Sequence, residues 1–221
     1  MRDAAVVESS TTPAIHAGNG GAIPARSLHF RTGRTQEANS LIMGYHYSKR
    51  IPSATELVGS LHLDGGLFGG DGPMVAAAYF GFPPTRWKEP VLELTRLVRA
   101  NDRVPLTMLI SMCCIELKKR GFDLLVSFAD KTQKHEGFVY RAANWHYAGC
   151  RERSMDGVLI NEIFYPGRMC NNLFGTRSPA LLAKKFPHKN VGPHYDEGKH
   201  LYWKSLGKKG TGKAERLGLL A

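Results

Sequence analysis

The stretch Phe122 to Gly149, FDLLVSFADKTQKHEGFVYRAANWHYAG, constrains the fold of this chain more than any other. Leu124, Val126 and Phe128 alternate onto one face together with Asp130, while Leu125, Ser127 and Ala129 take the other. A strand apolar on both faces is covered by layers on both sides and runs through the middle of a sheet. The strand ends on a single carboxylate, Asp130, before a turn, a short helix and a second strand. Ligand sites in such sheets gather beyond strand ends, where the next loop begins. Asp130 is therefore the first candidate functional residue.

The flanking sequence fills in a mixed architecture. In TQEANSLIMGYHYSKR, Ala38, Leu41, Ile42 and Tyr45 follow the i, i+3, i+4, i+7 spacing of one apolar helix face. Pro52 limits its continuation, so His46 and Tyr47 fall in the last turn or just past it. Residues 61–82 read as a hairpin about the glycine-rich GGLFGGDG. VLELTRLV (91–98) is a further strand. LTMLISMCCIELKKR, with Pro105 at its start and Gly121 as its stop, is a helix apolar nearly all round and so expected to be deeply buried. After the central segment come DGVLINEIFYPGR as irregular or extended chain, a short helix in SPALLAKKF, and a closing strand in KHLYWKSLG (199–207). Strands and helices mixed in this order predict a single α/β or α+β domain. Residues 1–27, rich in Gly, Ala, Ser and Thr, read as a disordered leader, 28–207 as the domain, and 208–221 as a basic flexible tail.

Within this frame one residue breaks its pattern. Leu92, Leu94, Arg96 and Val98 fall on one face of their strand, so a guanidinium stands where Leu or Val is called for. A buried arginine must be paired or serve an anionic ligand. Asp130 is the natural partner, either as a structural bridge or as a site in which Arg96 steadies a general base. The structural alternative for Asp130 is capping of the turn that follows it. Tyr140 and Asn144, four apart on the expected short helix, share a face and offer a proton and a polar edge. His46 and Tyr47 offer an imidazole and a phenol. His62-Leu63-Asp64 places two potential metal ligands on one strand face, although matches of two residues are common by chance. A phosphate-binding GxxxxGK[ST] loop and a GxSxG elbow are both missing.

Charge points to the partner. Lys and Arg number 30 against 19 Asp and Glu, a net +11. From Arg177 onward ten Lys or Arg face three acids, so most of the surplus sits in the last fifth of the chain. Such a footprint suits phosphate backbones. Trp87, Tyr140, Trp145, Tyr147, Tyr202 and Trp203 add rings that can stack on bases. No apolar run reaches the ~18 residues that crossing a membrane requires. The four cysteines, Cys113, Cys114, Cys150 and Cys170, form no CxxC pair and read as reduced, buried thiols of a cytoplasmic protein.

Five blocks in this order, HYSKR (46–50), LELTRLV (92–98), SFAD (127–130), GFVYRAANW (137–145) and KHLYW (199–203), resemble the Mom family of phage DNA-modification proteins. The resemblance implies a GNAT-like fold, a central mixed sheet flanked by helices. It also implies an enzyme that carbamoylmethylates the exocyclic amine of adenine in double-stranded DNA, hiding phage DNA from host restriction. The matching residues are His46, Tyr47, Arg96, Asp130 and Tyr140 as catalytic candidates, with Asn144, Trp145 and Ser111 as substrate-binding candidates. Acetyl-CoA is the cofactor that the fold analogy suggests. The junction RLVRANDRVP, however, has no glycine where acetyltransferases of this fold cradle the CoA pyrophosphate. An acetyl transfer would also make an amide, whereas the implied product joins nitrogen to a methylene carbon. The donor, any metal and the oligomeric state, monomer or homodimer, stay open. The alternatives are a GNAT-type acyltransferase of small molecules or proteins and a DNA-binding protein without enzymatic activity.

Overall fold

The computed structural model describes residues 21–66, 70–83 and 87–220. Most of the expected leader, residues 1–20, lies outside them; Ala25–Ser27 form a 3-10 turn. Seven strands make one sheet: β1 (Leu28–Thr32), β2 (Leu57–Asp64), β3 (Asp71–Gly81), β4 (Leu92–Arg99), β5 (Leu124–Asp130), β6 (His146–Arg151) and β10 (Lys199–Ser205). Their order is β1-β2-β3-β4-β5-β10-β6. Only β4 and β5 run parallel; every other pair is antiparallel. β5 is central, as its two apolar faces require. Leu125 and Ala129 enter one core and Leu124 and Val126 another, on the opposite side.

Helix α1 (Thr35–Tyr45) buries Ala38, Leu41 and Ile42 against Val58, Ala77, Tyr79 and Val98. Helix α2 (Leu106–Lys119) covers the other face of the sheet, with Leu109, Ile110, Cys113 and Leu117 packed on Leu61, Ala76, Ala78 and Phe80. Gly121, at φ 87°, ends it in the left-handed conformation, and the Phe122 N–H closes back onto the Leu117 carbonyl. α2 is not buried all round. Ser111 is exposed and Ile115 is 52% exposed, because none of the described residues forms a layer beyond the helix.

Two further expectations need correction, and one left open is decided. DGVLINEIFYPGR, irregular or extended by its sequence, is extended: β7 (Met155–Ile160) and β8 (Ile163–Pro166) form a second sheet with β9 (Val191–Tyr195), in the order β8-β7-β9. Helices α4 (Gly167–Phe174) and α5 (Pro179–Lys185) pack on it through Cys170 and Leu182. Asn161 and Glu162, both with positive φ, make the two-residue turn that joins β7 to β8. The basic tail is not loose: Lys208–Arg216 form helix α6, docked on β5 and β10. Ala214 and Leu219 are buried there, and Lys213 and Arg216 bond Asp123 and Glu89 at 2.9 and 2.6 Å. Burying one leucine contributes about 1.5–3 kcal/mol, which repeated lysines conceal from a reading by composition. Cys150 is exposed rather than buried. No helix among the described residues is long and apolar enough to cross a membrane.

Candidate functional site

The parallel pairing of β4 and β5 lasts for three residues, Leu92 to Leu94 against Leu125 to Ser127. Both strands then continue, β4 to Arg99 and β5 to Asp130, without hydrogen bonds between them. The gap at their C-terminal ends opens a cavity of about 460 Å³, walled by Leu94 to Arg99, Phe128, Ala129, the end of α1 and the segment Lys134 to Tyr140. Small-molecule sites are typically ~300–1,000 Å³.

A bulge in β4 decides what faces this gap. Tyr79 of β3 stands opposite Arg96 and Phe80 opposite Leu94, so Thr95 is an extra residue. Its hydroxyl donates to the Tyr79 carbonyl at 3.1 Å. The extra residue flips the alternation beyond it. Leu92 and Leu94 pack in the α2-side core, whereas Val98 joins the α1-side core. Arg96 therefore lies on the face of Val98, not on that of Leu92 and Leu94. Nor does it pair with Asp130. Its Nε donates to the Arg50 carbonyl at 3.1 Å and its Nη1 to the Thr95 carbonyl at 2.6 Å. Glu93 is the carboxylate whose negative charge it feels.

His46 caps the end of α1 and stacks on Tyr47, ring centroids 4.5 Å apart; Tyr47 meets His135 edge-on at 5.5 Å. The Ser48 N–H donates to His46 Nδ1 at 3.1 Å. Burial first, then Arg96 and His135, push the imidazole down to about 4. His46 is thus neutral, and with Nδ1 accepting, its proton sits on Nε2. It can donate a hydrogen bond to a ligand but is poorly placed to take a proton. The Tyr47 phenol is raised by burial and by the charge of Asp130, and lowered by Arg96.

Tyr140 enters the cavity wall from helix α3 (Phe138–Ala142). Ser127 Oγ lies 2.9 Å from both the Leu94 carbonyl and the Tyr140 hydroxyl. A carbonyl can only accept, so the single Ser127 proton goes to Leu94 and Tyr140 donates to Ser127 Oγ. Burial pushes the phenol up to about 12. Tyr202 fixes the same wall, its hydroxyl donating to the Glu136 carbonyl at 2.6 Å. Gly137, at φ 71°, leaves room for that ring; a Cβ there would strike it.

The other expected residues lie elsewhere. Asp130 does not line the cavity. Its Oδ1 accepts the Thr132 N–H at 3.0 Å and caps the 3-10 turn Lys131–Gln133, so it acts on the cavity by charge, through Tyr47. α3 ends at Ala142, before Asn144 can share its face with Tyr140. Asn144 instead takes φ 58°, and its carbonyl accepts from Lys204 at 2.8 Å. Trp145 is buried in the core against Tyr140. Ser111 faces solvent. Tyr202 and Trp203 are also core, which leaves Tyr147 the most exposed of the six rings singled out for stacking. Both ring nitrogens of His62 are bonded, to Ser60 at 3.0 Å and to the Gly72 carbonyl at 3.2 Å, which removes it as a metal ligand. Among the described residues no three His, Cys, Asp or Glu cluster. Sequence pattern missed His135 and Phe138, the latter 68% exposed at the mouth with Arg141 4.7 Å from its ring center. An apolar residue four before Ala142 on a short helix gives no signal of exposure.

The model of the Mom protein family matches residues 27–211. The chain belongs to the Mom protein family. Membership points to modification of phage DNA. No curated protein matches this member. Among solved structures the Mom-family chain is similar to the ribosomal-protein-S18-alanine N-acetyltransferase of Escherichia coli, at 13% identity over 81% of this chain and 94% of that one, TM-score 0.46. It is likewise similar to an N-acetyltransferase of Staphylococcus aureus Mu50, at 14% identity over 81% and 99%, TM-score 0.45. At these values the likeness says nothing of substrate.

Acetyl-CoA, the donor that a GNAT-like fold suggests, meets a junction between β4 and α2 in which several backbone N–H groups are engaged, while no side chain among the described residues caps the start of α2. A pyrophosphate cradle needs free backbone N–H groups. Here the Arg103 N–H is taken by Asn101 Oδ1 at 3.0 Å, Ala100 N–H by the Val75 carbonyl, Val104 N–H by the Asn101 carbonyl, and Pro105 has none.

Proposed function

We propose that this chain transfers a carbamoylmethyl group to the exocyclic amine of adenine in double-stranded DNA. The observation that carries the reading is the meeting of His46, Tyr47, Arg96 and Tyr140, which lie far apart in sequence and all match Mom-family blocks, around one cavity at the β4–β5 gap. An adenine rotated out of the duplex enters this cavity, at a cost of a few kcal/mol that protein contacts offset. The neutral His46 donates from Nε2 to a ring nitrogen of the base. Arg96 holds an anionic or carbonyl part of the donor. As N6 forms its bond to the donor's methylene carbon, the bond from that carbon to the leaving group breaks and its electron pair departs with the leaving group. N6 releases one proton, which the half-exposed Tyr47 hydroxyl passes out to solvent, with the charge of Asp130 favouring the transfer. Tyr140, its own proton committed to Ser127, shapes the wall. Asn144, Trp145 and Ser111 take no direct part. Phe138 fills the space the base leaves in the stack.

DNA from cells expressing the chain, digested to nucleosides and weighed by mass spectrometry, tests this. A deoxyadenosine heavier by one carbamoylmethyl group is expected; a DNA-binding protein without activity leaves deoxyadenosine unchanged.

A further inference from the structure

A second cleft, of about 740 Å³, lies beside the first, where the start of α4 meets the end of HYSKR. Three arginines line it: Arg50, Arg168 and Arg177. All three are exposed, and among the described residues none forms an ion pair. The one carboxylate in the lining, Asp156, lies 2.7 Å from His194 Nδ1 and offsets one of the three positive charges, which leaves the lining net positive. Arg177 runs alongside Gly167, the first residue of α4, and no side chain caps that helix. Unsatisfied N–H groups and the positive end of the helix dipole therefore face the same cleft.

The cleft adjoins the cavity. Arg50 lines the cleft while its carbonyl accepts from Arg96 Nε, whose side chain lines the cavity. Glu93, on the Arg96 face of β4, feels the charge of both Arg96 and Arg168. Three unpartnered guanidinium groups converging at an open cleft suit phosphate oxygens, which arginine binds in bidentate fashion. An open cleft beside a base-sized cavity suits a continuous strand better than a small molecule.

We propose that this cleft binds the phosphodiester backbone next to the extruded nucleotide. The inference rests on the DNA reading above and deepens it: the cavity takes the base, and Arg50, Arg168 and Arg177 hold the flanking phosphates. These contacts carry no sequence information and set the position of the strand.

Binding of a fluorescent duplex oligonucleotide, followed by anisotropy over a series of NaCl concentrations, provides the test. Each neutralised phosphate contributes about 0.9 to the slope of log affinity against log salt. The double variant Arg168→Ala/Arg177→Ala is expected to bind more weakly and to lose about 2 from that slope, whatever the duplex sequence. The variant Arg168→Lys/Arg177→Lys, which keeps the charge, is expected to restore most of the slope; its failure to do so would overturn the proposal. So would an alanine variant with unchanged slope and affinity, which leaves the DNA reading standing. Titration with inorganic pyrophosphate, watched at the Arg168 and Arg177 Nε–H resonances, separates the sources. If pyrophosphate shifts them while the wild-type chain binds no duplex, the occupant is a small phosphorylated molecule and the strand proposal fails. Nucleoside mass analysis reads the base chemistry independently.

Discussion

Arg96 Nε donates to the Arg50 carbonyl at 3.1 Å, and this bond ties the bulged strand β4 to the chain leaving α1. It accounts for how an arginine one residue beyond a bulge comes to face a cavity instead of a core. Glu93, rather than Asp130, supplies its nearby negative charge.

His46 gives the fold a pH dependence. Its folded value, about 4, lies below the ordinary 6.5. Between these values the unfolded chain binds a proton that the folded chain does not, so stability rises with pH across this window. The contribution is present above about pH 6.5 and is lost as pH falls toward 4. Urea midpoints between pH 4.5 and 7 are expected to climb in the wild type and to climb less in His46→Gln.

Tyr140→Phe removes a hydroxyl whose proton is committed to Ser127. Ser127 keeps its bond to Leu94, so no buried donor is orphaned. The expected cost is about 0.5–1.5 kcal/mol of stability, read by denaturant unfolding. Modification is expected to fall less than tenfold, because a phenol locked in this way relays no proton. Complete loss of activity in a folded Tyr140→Phe chain would give its hydroxyl a direct role.

Phe138, exposed at the cavity mouth, has little packing to lose. Phe138→Ala is expected to change stability by less than about 0.5 kcal/mol but to lower modification of duplex DNA by tenfold or more. On an oligonucleotide whose target adenine is unpaired the defect is expected to shrink, since no stack has to be opened. Rates on the two substrates measure this directly.

Helix α6 docks through Gly210, where an added Cβ would run into the Asp123 carbonyl. Gly210→Ala is expected to cost about 1–3 kcal/mol through strain and to speed amide exchange across Lys208–Arg216 ahead of the rest of the fold.

The central strand, helix α1 and the hairpin were legible because their periodicity records burial directly: Leu125 and Leu124 face separate cores, and Ala38, Leu41 and Ile42 face one. The site was legible in part. His46, Tyr47, Arg96 and Tyr140 line one cavity, but strict alternation puts Arg96 on the wrong face, because it cannot register the extra residue Thr95. Asp130 sits at the expected strand end, yet its carboxylate serves the turn. α6 and the β7–β9 sheet were hidden for opposite reasons. The first is written in lysines around a few buried positions, and the second in short strands that Asn161 and Glu162 join with no glycine to announce a turn. Ser111, which only the resemblance offered, stands exposed on α2 and lines neither the cavity nor its walls.

The most direct measurement compares nucleosides from the DNA of cells expressing the wild type, Arg96→Gln and Ser111→Ala at equal levels. Heavier deoxyadenosine is expected from the wild type and from Ser111→Ala, and none from Arg96→Gln although that variant stays folded. Unmodified DNA from the wild type, or wild-type modification by Arg96→Gln, would contradict the cavity at the β4–β5 gap as the seat of the reaction.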